Sequence, residues 1–271
     1  MRPRKRLGQN FLVDPRFAAR IAAETPDHAY VVEIGGGTGA LTTALAERAR
    51  RLDVLEIDRG LAAVLRDRFG DTSTIHIVEG DALEDDLALR LASEAPPRAI
   101  CGNLPYSITT PLLERIIATA ALWDCAILMV QREYARRMRA RPGTPDYSSL
   151  SVFVQHFCAV EHLFDAGASG FYPAPRVASS VIKLRPHAHV NEGLADPALL
   201  LWLVRAAFAQ RRKTLANSVA AQPGAPSNAI LIAALQQSRL PGAIRGERLA
   251  HDDFVTLANA LSAQGFRAPA R

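Results

Sequence analysis

The sequence has few of the residues that mark disulfide-bonded, zinc-binding or membrane proteins. Its 271 residues include only three cysteines, at positions 101, 125 and 158, and their spacing matches neither a CxxC nor a Cys/His ligand motif. We therefore expect no disulfide framework and no metal site, and we expect the protein to work in a reducing cytosol. No apolar stretch approaches the roughly 20 residues that span a bilayer. The basic start, MRPRKR, lacks the following apolar segment of a secretory signal, so we expect a cytoplasmic protein without membrane contact.

The remaining composition is that of an ordinary folded protein. Hydrophobic residues make up 49% and charged residues 22%, which excludes a disordered chain. The formal net charge of +5 favours a polyanionic partner. The length suits one large domain with a smaller appendage.

Short apolar runs alternate with longer amphipathic runs over the first half of the chain. This alternation is typical of an α/β domain with a mostly parallel sheet. The predicted strands are 30–34, 52–57, 75–78, 99–102 and 126–130, and the predicted helices are 40–50, 61–69 and one that begins near Pro111.

The pattern changes near residues 185–193, which have little periodicity and several turn-forming residues. Beyond them, segments 197–215, 228–237 and 252–262 predict helices with no strand between them. We therefore expect an α/β domain over residues 1–185 and a small all-helical domain over residues 186–271.

The segment EIGGGTG, residues 33–39, follows a predicted strand and precedes a helix. Glycines allow the sharp turn and the close approach of backbone to ligand that a nucleotide-type cofactor needs. Glu56 and Asp58 end the second strand about 20 residues later, where an acid can hold ribose hydroxyls. Asp81, after the third strand, can accept a hydrogen bond from an adenine amine. The absence of a Walker lysine disfavours a nucleoside triphosphate, whereas NAD remains open.

The segment GNLPY, residues 102–106, ends the fourth strand and is the most informative motif. An aromatic amine is a poor nucleophile because its lone pair is delocalised, so an enzyme must supply acceptors for the amine hydrogens. The Asn103 side chain and a main-chain carbonyl next to Pro105 can do so. Tyr106 can stack on a base removed from its own stack. The motif therefore predicts methylation of an exocyclic amine.

At this point the sequence resembles the small-subunit ribosomal RNA adenine N6,N6-dimethyltransferases over nearly the whole chain. The matching segments are KRLGQNFL (5–12), the glycine loop, the second-strand acid, GDA (80–82), NLPY (103–106), Tyr147 with LSV (150–152), FYPAPRV (171–177) and FAQRRKTL (208–215). Gly36 stands where relatives often carry proline or alanine, which we expect to loosen the loop without blocking it.

The resemblance implies a class I, Rossmann-like methyltransferase domain that binds S-adenosyl-L-methionine and needs no metal. Asn103 and Leu104 would present acceptors to the target amine, and Tyr106 and Phe171 would sandwich the extruded adenine. The implied cofactor contacts, with Gly37 added as part of the glycine loop, are Asn10, Leu12, Gly35, Gly37, Glu56, Asp81 and Asn103.

The resemblance also implies that the helical domain recognises RNA, and that the partner is small-subunit rRNA on an immature small ribosomal subunit. We expect a monomer whose basic clusters neutralise phosphates. These clusters are Arg4, Lys5 and Arg6 near the start, and Arg211, Arg212 and Lys213, expected on the outer face of the helix over 197–215. A third basic run, at residues 136–141, is interpreted as plain surface.

Three alternatives remain open. The first is the large-subunit rRNA enzyme type that confers macrolide resistance, and the second is a non-enzymatic rRNA-binding assembly factor. Methylation of DNA or of a protein amide through a similar loop fits less well, because it does not explain the other matching segments.

Overall fold

The computed structural model describes residues 9–188, 190 and 192–269, so Arg4, Lys5 and Arg6 lie outside the described residues. The chain divides into two compact units. The first runs to Ala135 and resumes at Cys158–Pro186, and the second comprises Arg136–Phe157 and the chain from His187 onward. No helix in the described part of the chain is long and apolar enough to cross a membrane.

The first unit contains every strand found among residues 9–188, 190 and 192–269. They are β1 (Phe11–Leu12), β2 (Tyr30–Ile34), β3 (Arg51–Glu56), β4 (Ile75–Glu79), β5 (Arg98–Asn103), β6 (Cys125–Gln131), β7 (Cys158–Ala166), β8 (Phe171–Tyr172) and β9 (Ser179–Pro186). β1 and β8 form a separate antiparallel pair.

The other seven strands form one sheet in the order β4-β3-β2-β5-β6-β9-β7. The five strands from β4 to β6 are parallel, and β9 runs antiparallel between β6 and β7. β2, β5 and β6 are near-continuous apolar runs because a central parallel strand is covered on both faces. The predicted α/β fold with a mostly parallel sheet is confirmed.

Six helices follow the strands of the first unit, the last of them crossing into the second. They are α1 (Pro15–Ala23), α2 (Ala40–Ala46), α3 (Arg59–Phe69), α4 (Leu87–Ala92), α5 (Thr109–Ala118) and α6 (Arg132–Met138). The side chains of Asp14, Asp58 and Asp86 accept hydrogen bonds from the first turns of α1, α3 and α4. The amino ends of these helices are therefore set by local sequence.

The helices of the second unit pack around a core of their own that includes Leu203, Leu231, Phe254 and Leu257. They are α7 (Ser149–Phe157), α8 (Pro197–Ala209), α9 (Leu215–Ala220), α10 (Asn228–Gln237) and α11 (His251–Ala263).

The expectation of one helix over 197–215 is wrong. α8 ends at Ala209, and Thr214 starts α9 by accepting a hydrogen bond from the Asn217 N–H. Arg211, Arg212 and Lys213 therefore lie in the turn between two helices. Thr214 supplies the local reason for the break, since a capping side chain competes with continued helix.

The unit boundary also differs from the expected one. The second unit begins at His187, one residue after the predicted start, but it also takes in Arg136–Phe157. The Tyr147 hydroxyl donates to the Leu249 carbonyl at 2.8 Å, and the Arg211 guanidinium donates to the Pro145 carbonyl at 3.1 Å. These long-range contacts bind the segment to the helical unit.

Candidate active site

A cavity of about 940 Å³, counted to its open mouth, lies in the first unit at the carboxyl ends of the parallel strands. This is the edge at which open α/β sheets bind ligands. Ten of the residues predicted from the sequence line it: Asn10, Leu12, Gly35, Gly37, Glu56, Asp81, Asn103, Leu104, Pro105 and Tyr106.

The glycine loop forms one wall of the cavity. Gly35 and Gly37 have φ values of +80° and +56°, in the left-handed region that favours glycine. A Cβ atom added at Gly35 would meet only the Asn103 carbonyl oxygen, 4.0 Å away, so this position borders open space. The backbone of the loop can therefore approach a bound molecule closely.

Gly36 also lines the cavity, but a side chain at this position would point to the sheet and α3. A Cβ atom there would lie 2.4 Å from Val54 Cγ1 and 2.8 Å from Leu65 Cδ1. Both distances are shorter than van der Waals contact, so a side chain at this position requires Val54 and Leu65 to move. The departure from relatives is thus matched by its neighbours in this chain.

Glu56 is held at the end of β3 by two backbone groups. One carboxylate oxygen accepts from the Gly37 N–H and the other from the Asp58 N–H, each at 2.8 Å. Burial raises the pKa of Glu56, although these two bonds oppose the rise. Asp58 instead caps α3, accepting from the Gly60 N–H at 2.9 Å. Of the two acids singled out in the sequence, Glu56 is the one at the cavity.

Asp81 follows β4, and its carboxylate accepts from the Leu83 N–H at 2.9 Å. This bond closes a tight Asx turn, as the sequence Glu-Gly-Asp suggests. Because one oxygen is committed to the turn, the side chain is oriented while it lines the cavity.

Glu33, on β2, is a cavity residue for which no role was predicted from the sequence. It lines the cavity and is 1% exposed. Neither carboxylate oxygen has a hydrogen-bond partner among the residues described. Burial raises its pKa to about 8. A charged residue within the apolar strand YVVEI is the sequence signal that could have found it, because acids are rarely buried without a partner.

The NLPY loop presents two oriented acceptors. The Asn103 side-chain nitrogen donates to the Asn10 carbonyl at 2.8 Å. Because a carbonyl can only accept, this bond establishes which end of the amide is nitrogen and leaves the Asn103 Oδ1 atom as an acceptor. The Pro105 carbonyl is already engaged by the Ile108 N–H and the Thr109 hydroxyl. No donor to the Leu104 carbonyl is found among the described residues, so this oxygen is available to accept a hydrogen bond from a bound molecule.

Tyr106 is anchored by β9. Its hydroxyl lies 2.6 Å from the Ser179 hydroxyl, and burial raises its pKa, so the phenol stays protonated. The bond holds a half-buried ring in one orientation beside Asn103. Ser179 was not singled out from the sequence, because β9 itself was not predicted.

Phe171, predicted to stack on the extruded base, is buried beside a residue that lines the cavity. It is 4% exposed, pairs with Leu12 across the β1–β8 pair, and belongs to the main hydrophobic core. It is not among the residues that line the cavity. Its cross-strand partner Leu12 does line the cavity, so Phe171 packs next to the site, and its role as a stacking partner stays a prediction.

The three basic residues in the turn between α8 and α9 differ in their contacts. The Arg211 guanidinium donates to the Pro145 and Tyr147 carbonyls at 3.1 and 3.3 Å and lies 3.5 Å from a Glu247 oxygen. Arg212 and Lys213 are exposed and make no such side-chain contacts with the described residues. Arg211 therefore stabilises the helical unit, and its two neighbours are available to solvent.

The chain is similar to known proteins over nearly its whole length. The family model described as ribosomal RNA adenine dimethylase matches residues 1–240. A protein of Aromatoleum aromaticum named ribosomal RNA small subunit methyltransferase A is 41% identical, with 98% of this chain and 97% of that protein covered. The protein of the same name from Pseudomonas putida is 39% identical, with coverage of 97% and 96%.

Solved structures give the same result. A dimethyladenosine transferase from Plasmodium falciparum has a TM-score of 0.81 and 26% identity, with 95% of this chain and 99% of that chain covered. The 23S rRNA methyltransferase ErmE has a TM-score of 0.68 and 28% identity, with coverage of 93% and 100%. The fold, the position of the cavity in the sheet and the match to relatives over nearly the whole chain all agree. The chain belongs to the ribosomal RNA adenine dimethylase family.

Proposed function

We propose that the protein transfers methyl groups from S-adenosyl-L-methionine to the N6 amines of two adjacent adenosines in a hairpin near the 3′ end of small-subunit rRNA, giving N6,N6-dimethyladenosine. The observation that carries the proposal is the pair of available acceptors on Asn103 and Leu104, two residues that line the cavity. Membership in the adenine dimethylase family supports the same target amine.

The cavity residues fit S-adenosyl-L-methionine, which supplies the methyl group as an activated sulfonium. Glu33 offers a buried, unpartnered carboxyl group, and a ligand that carries positive charge would favour its ionised form. Glu56, with its orientation set by Gly37 and Asp58, is placed to accept from ribose hydroxyls. Asp81 would accept from the adenine amine of the cofactor.

The acceptors act on the target amine. Asn103 Oδ1 and the Leu104 carbonyl each accept one amine hydrogen, so that the nitrogen becomes pyramidal and its lone pair is free to attack. Tyr106 stacks on the extruded base and limits its rotation. Positioning can supply most of the catalysis, and the proton leaves to water after methyl transfer, so no general base is required.

RNA binding is assigned to the basic clusters. Arg212 and Lys213 would contact phosphates, while Arg211 holds the turn that carries them. Arg4, Lys5 and Arg6 are proposed as a second phosphate contact. The proposed substrate is an immature small subunit, on which the protein acts as a monomer in the cytoplasm.

The proposal is tested by transfer of labelled methyl groups to small subunits that lack the modification, with mass spectrometry of the RNA product. Wild-type protein should produce dimethyladenosine at adjacent positions. Asn103→Ala should lower the rate by about 10²–10³, as for the loss of one oriented hydrogen-bond group at a reacting centre. Glu56→Ala should abolish transfer at ordinary cofactor concentrations.

Glu79→Ala provides the matched control, because Glu79 ends the neighbouring strand β4 directly beside Glu56 yet does not line the cavity. It should retain wild-type activity. Equal background transfer by wild type and Glu56→Ala would favour the non-enzymatic assembly factor. Methylation of large-subunit RNA instead would favour the enzyme type of ErmE, whose TM-score is the lower of the two.

A further inference from the structure

The β1–β8 strand pair carries two aromatic residues on opposite faces. Phe171 pairs with Leu12 and is buried, whereas Tyr172 pairs with Phe11 and is 60% exposed. Residues directly opposite each other in antiparallel strands share a face. Tyr172 therefore continues the face on which Phe11 lines the cavity.

The segment after Tyr172 leads back to the same site. It reaches β9 at Ser179, whose hydroxyl holds the Tyr106 ring at 2.6 Å. Tyr172 thus has two cavity residues close to it in the structure or along the chain. Phe11 pairs with it across the strands, and the loop after it ends at Ser179, which contacts Tyr106. Tyr172 does not itself line the cavity, and its exposed ring lies next to Phe11, which does.

Positive charge accompanies the ring. Arg176 is exposed and makes no side-chain hydrogen bond or ion pair with the described residues. Arg132 is also exposed, and its backbone N–H donates to the Ala178 carbonyl at 2.9 Å, so it lies beside the same loop. Aromatic rings that stack on bases, next to cations that attract the phosphates, are the combination with which proteins bind single-stranded nucleic acid.

We propose that Tyr172 stacks on the nucleobase next to the adenine that occupies the cavity. The inference rests on the proposed function, in which two adjacent adenines are modified: one enters the cavity while its neighbour lies on Tyr172. Tyr172 does not contact the reacting amine. It is a positioning residue that sets the register of the single strand, with Arg176 and Arg132 attracting the adjoining phosphates.

The test uses the full-length protein and two RNA hairpins. One carries two adjacent adenines in its loop, and the other has an abasic site in place of the adenine that neighbours the target. Dissociation constants are measured for wild type, Tyr172→Ala and Tyr172→Phe. Leu89→Ala is the matched control, because Leu89 is 67% exposed on α4 and does not line the cavity.

The abasic site should weaken binding to wild type about tenfold, and Tyr172→Ala should weaken binding of the intact hairpin by a similar factor. In Tyr172→Ala the abasic site should then have no further effect, which is the signature of a direct contact. Tyr172→Phe and Leu89→Ala should match wild type. Affinity for S-adenosyl-L-methionine should be unchanged in all variants, showing that the fold is intact.

The proposal is overturned if Tyr172→Ala binds the intact hairpin as tightly as wild type, or if the full abasic penalty persists in that variant. Failure of the proposed function is recognised separately, because wild-type protein would then transfer no methyl group to the intact hairpin. In that case the inference about Tyr172 falls with it.

Discussion

Two buried acids on adjacent strands of the sheet differ in their hydrogen bonding. Asp53 on β3 accepts hydrogen bonds from the Tyr30 hydroxyl at 2.8 Å, from Arg51 at 3.0 Å and from Arg90 at 2.8 Å. Glu33 on β2 is equally buried, at 1% exposure, yet its oxygens have no partner among the described residues. The register places the two side chains on opposite faces of the sheet, because Glu33 lies beside Val54 rather than Asp53.

The pKa values follow the environments. Burial opposes ionisation of Asp53, but its three donors hold the pKa below the ordinary value. Burial raises the pKa of Glu33 to about 8; the nearby Thr42 hydroxyl opposes the rise only weakly, and the charge of Glu56 adds to it. A paired acid stabilises the fold, whereas an unpaired one at a cavity costs stability and is available to a ligand. The comparison separates a structural carboxylate from a functional one.

The largest effect should come from Asp53→Asn. Removing this charge takes one of two carboxylate partners from Arg51, which keeps Glu94, and from Arg90, which keeps Asp85. It also leaves a buried amide where three donors need a carboxylate, at a cost of about 2–3 kcal/mol. The free energy of unfolding, measured by urea denaturation at neutral pH, should fall by this amount. Since the pKa of Asp53 is lowered in the folded state, its contribution should be present at neutral pH and be lost as the pH falls through the folded-state pKa.

Glu94→Gln is the control for that variant, because Glu94 also pairs with Arg51 but is partly exposed. It should cost about 1 kcal/mol or less. An Asp53→Asn variant no less stable than Glu94→Gln would remove the distinction between the two buried acids.

The second effect is a change in pH dependence with Glu33→Gln. Between pH 5.5 and 7 the folded protein keeps a proton on Glu33 that the unfolded chain releases, so wild-type stability falls with rising pH, by about 2 kcal/mol over this interval at ~1.4 kcal/mol per unit. Glu33→Gln should remove this slope, because glutamine does not titrate. Urea denaturation at the two pH values measures it, and equal slopes in the two proteins would contradict the raised pKa.

The smallest effect should come from Tyr30→Phe, which removes one of the three donors to Asp53 and leaves the ring in place. The expected cost is about 1 kcal/mol, the usual net contribution of one hydrogen bond. Calorimetric unfolding measures it, and a double variant with Asp53→Asn should lose less than the sum of the two single changes. Strict additivity would show that Tyr30 and Asp53 act independently.

The sequence predicted the five parallel strands within two residues at each end, because continuous apolar runs between turn residues are typical of strands buried on both faces. β1, β7, β8 and β9 were not predicted. β7 mixes apolar and charged residues as an edge strand does, and β9 lies between strands that come before it in the chain. Arg136–Phe157 was assigned to the wrong unit because the contacts of Tyr147 and Arg211 join positions far apart in sequence.

The predictions for the site followed the same division. Residues within contiguous motifs, such as Gly35, Glu56 and Asn103, all line the cavity. What could not be predicted depends on tertiary contacts: the ring of Phe171 turned to the core, and the hydroxyl of Ser179 bonded to Tyr106. Glu33 was visible as an acid within an apolar strand, but only its environment shows that it has no partner.

The bond from Asn103 to the Asn10 carbonyl joins positions 93 apart, and Asn10 lies outside the seven-stranded sheet. The sheet could therefore be complete while the amide of Asn103 is still free to rotate. The orientation of the acceptor on Asn103 thus depends on the segment that carries Asn10 as well as on the sheet. If a protease cut the chain between β1 and α1 and the first segment were released, the sheet should remain folded. The Asn103 amide would then lose the hydrogen bond that orients it.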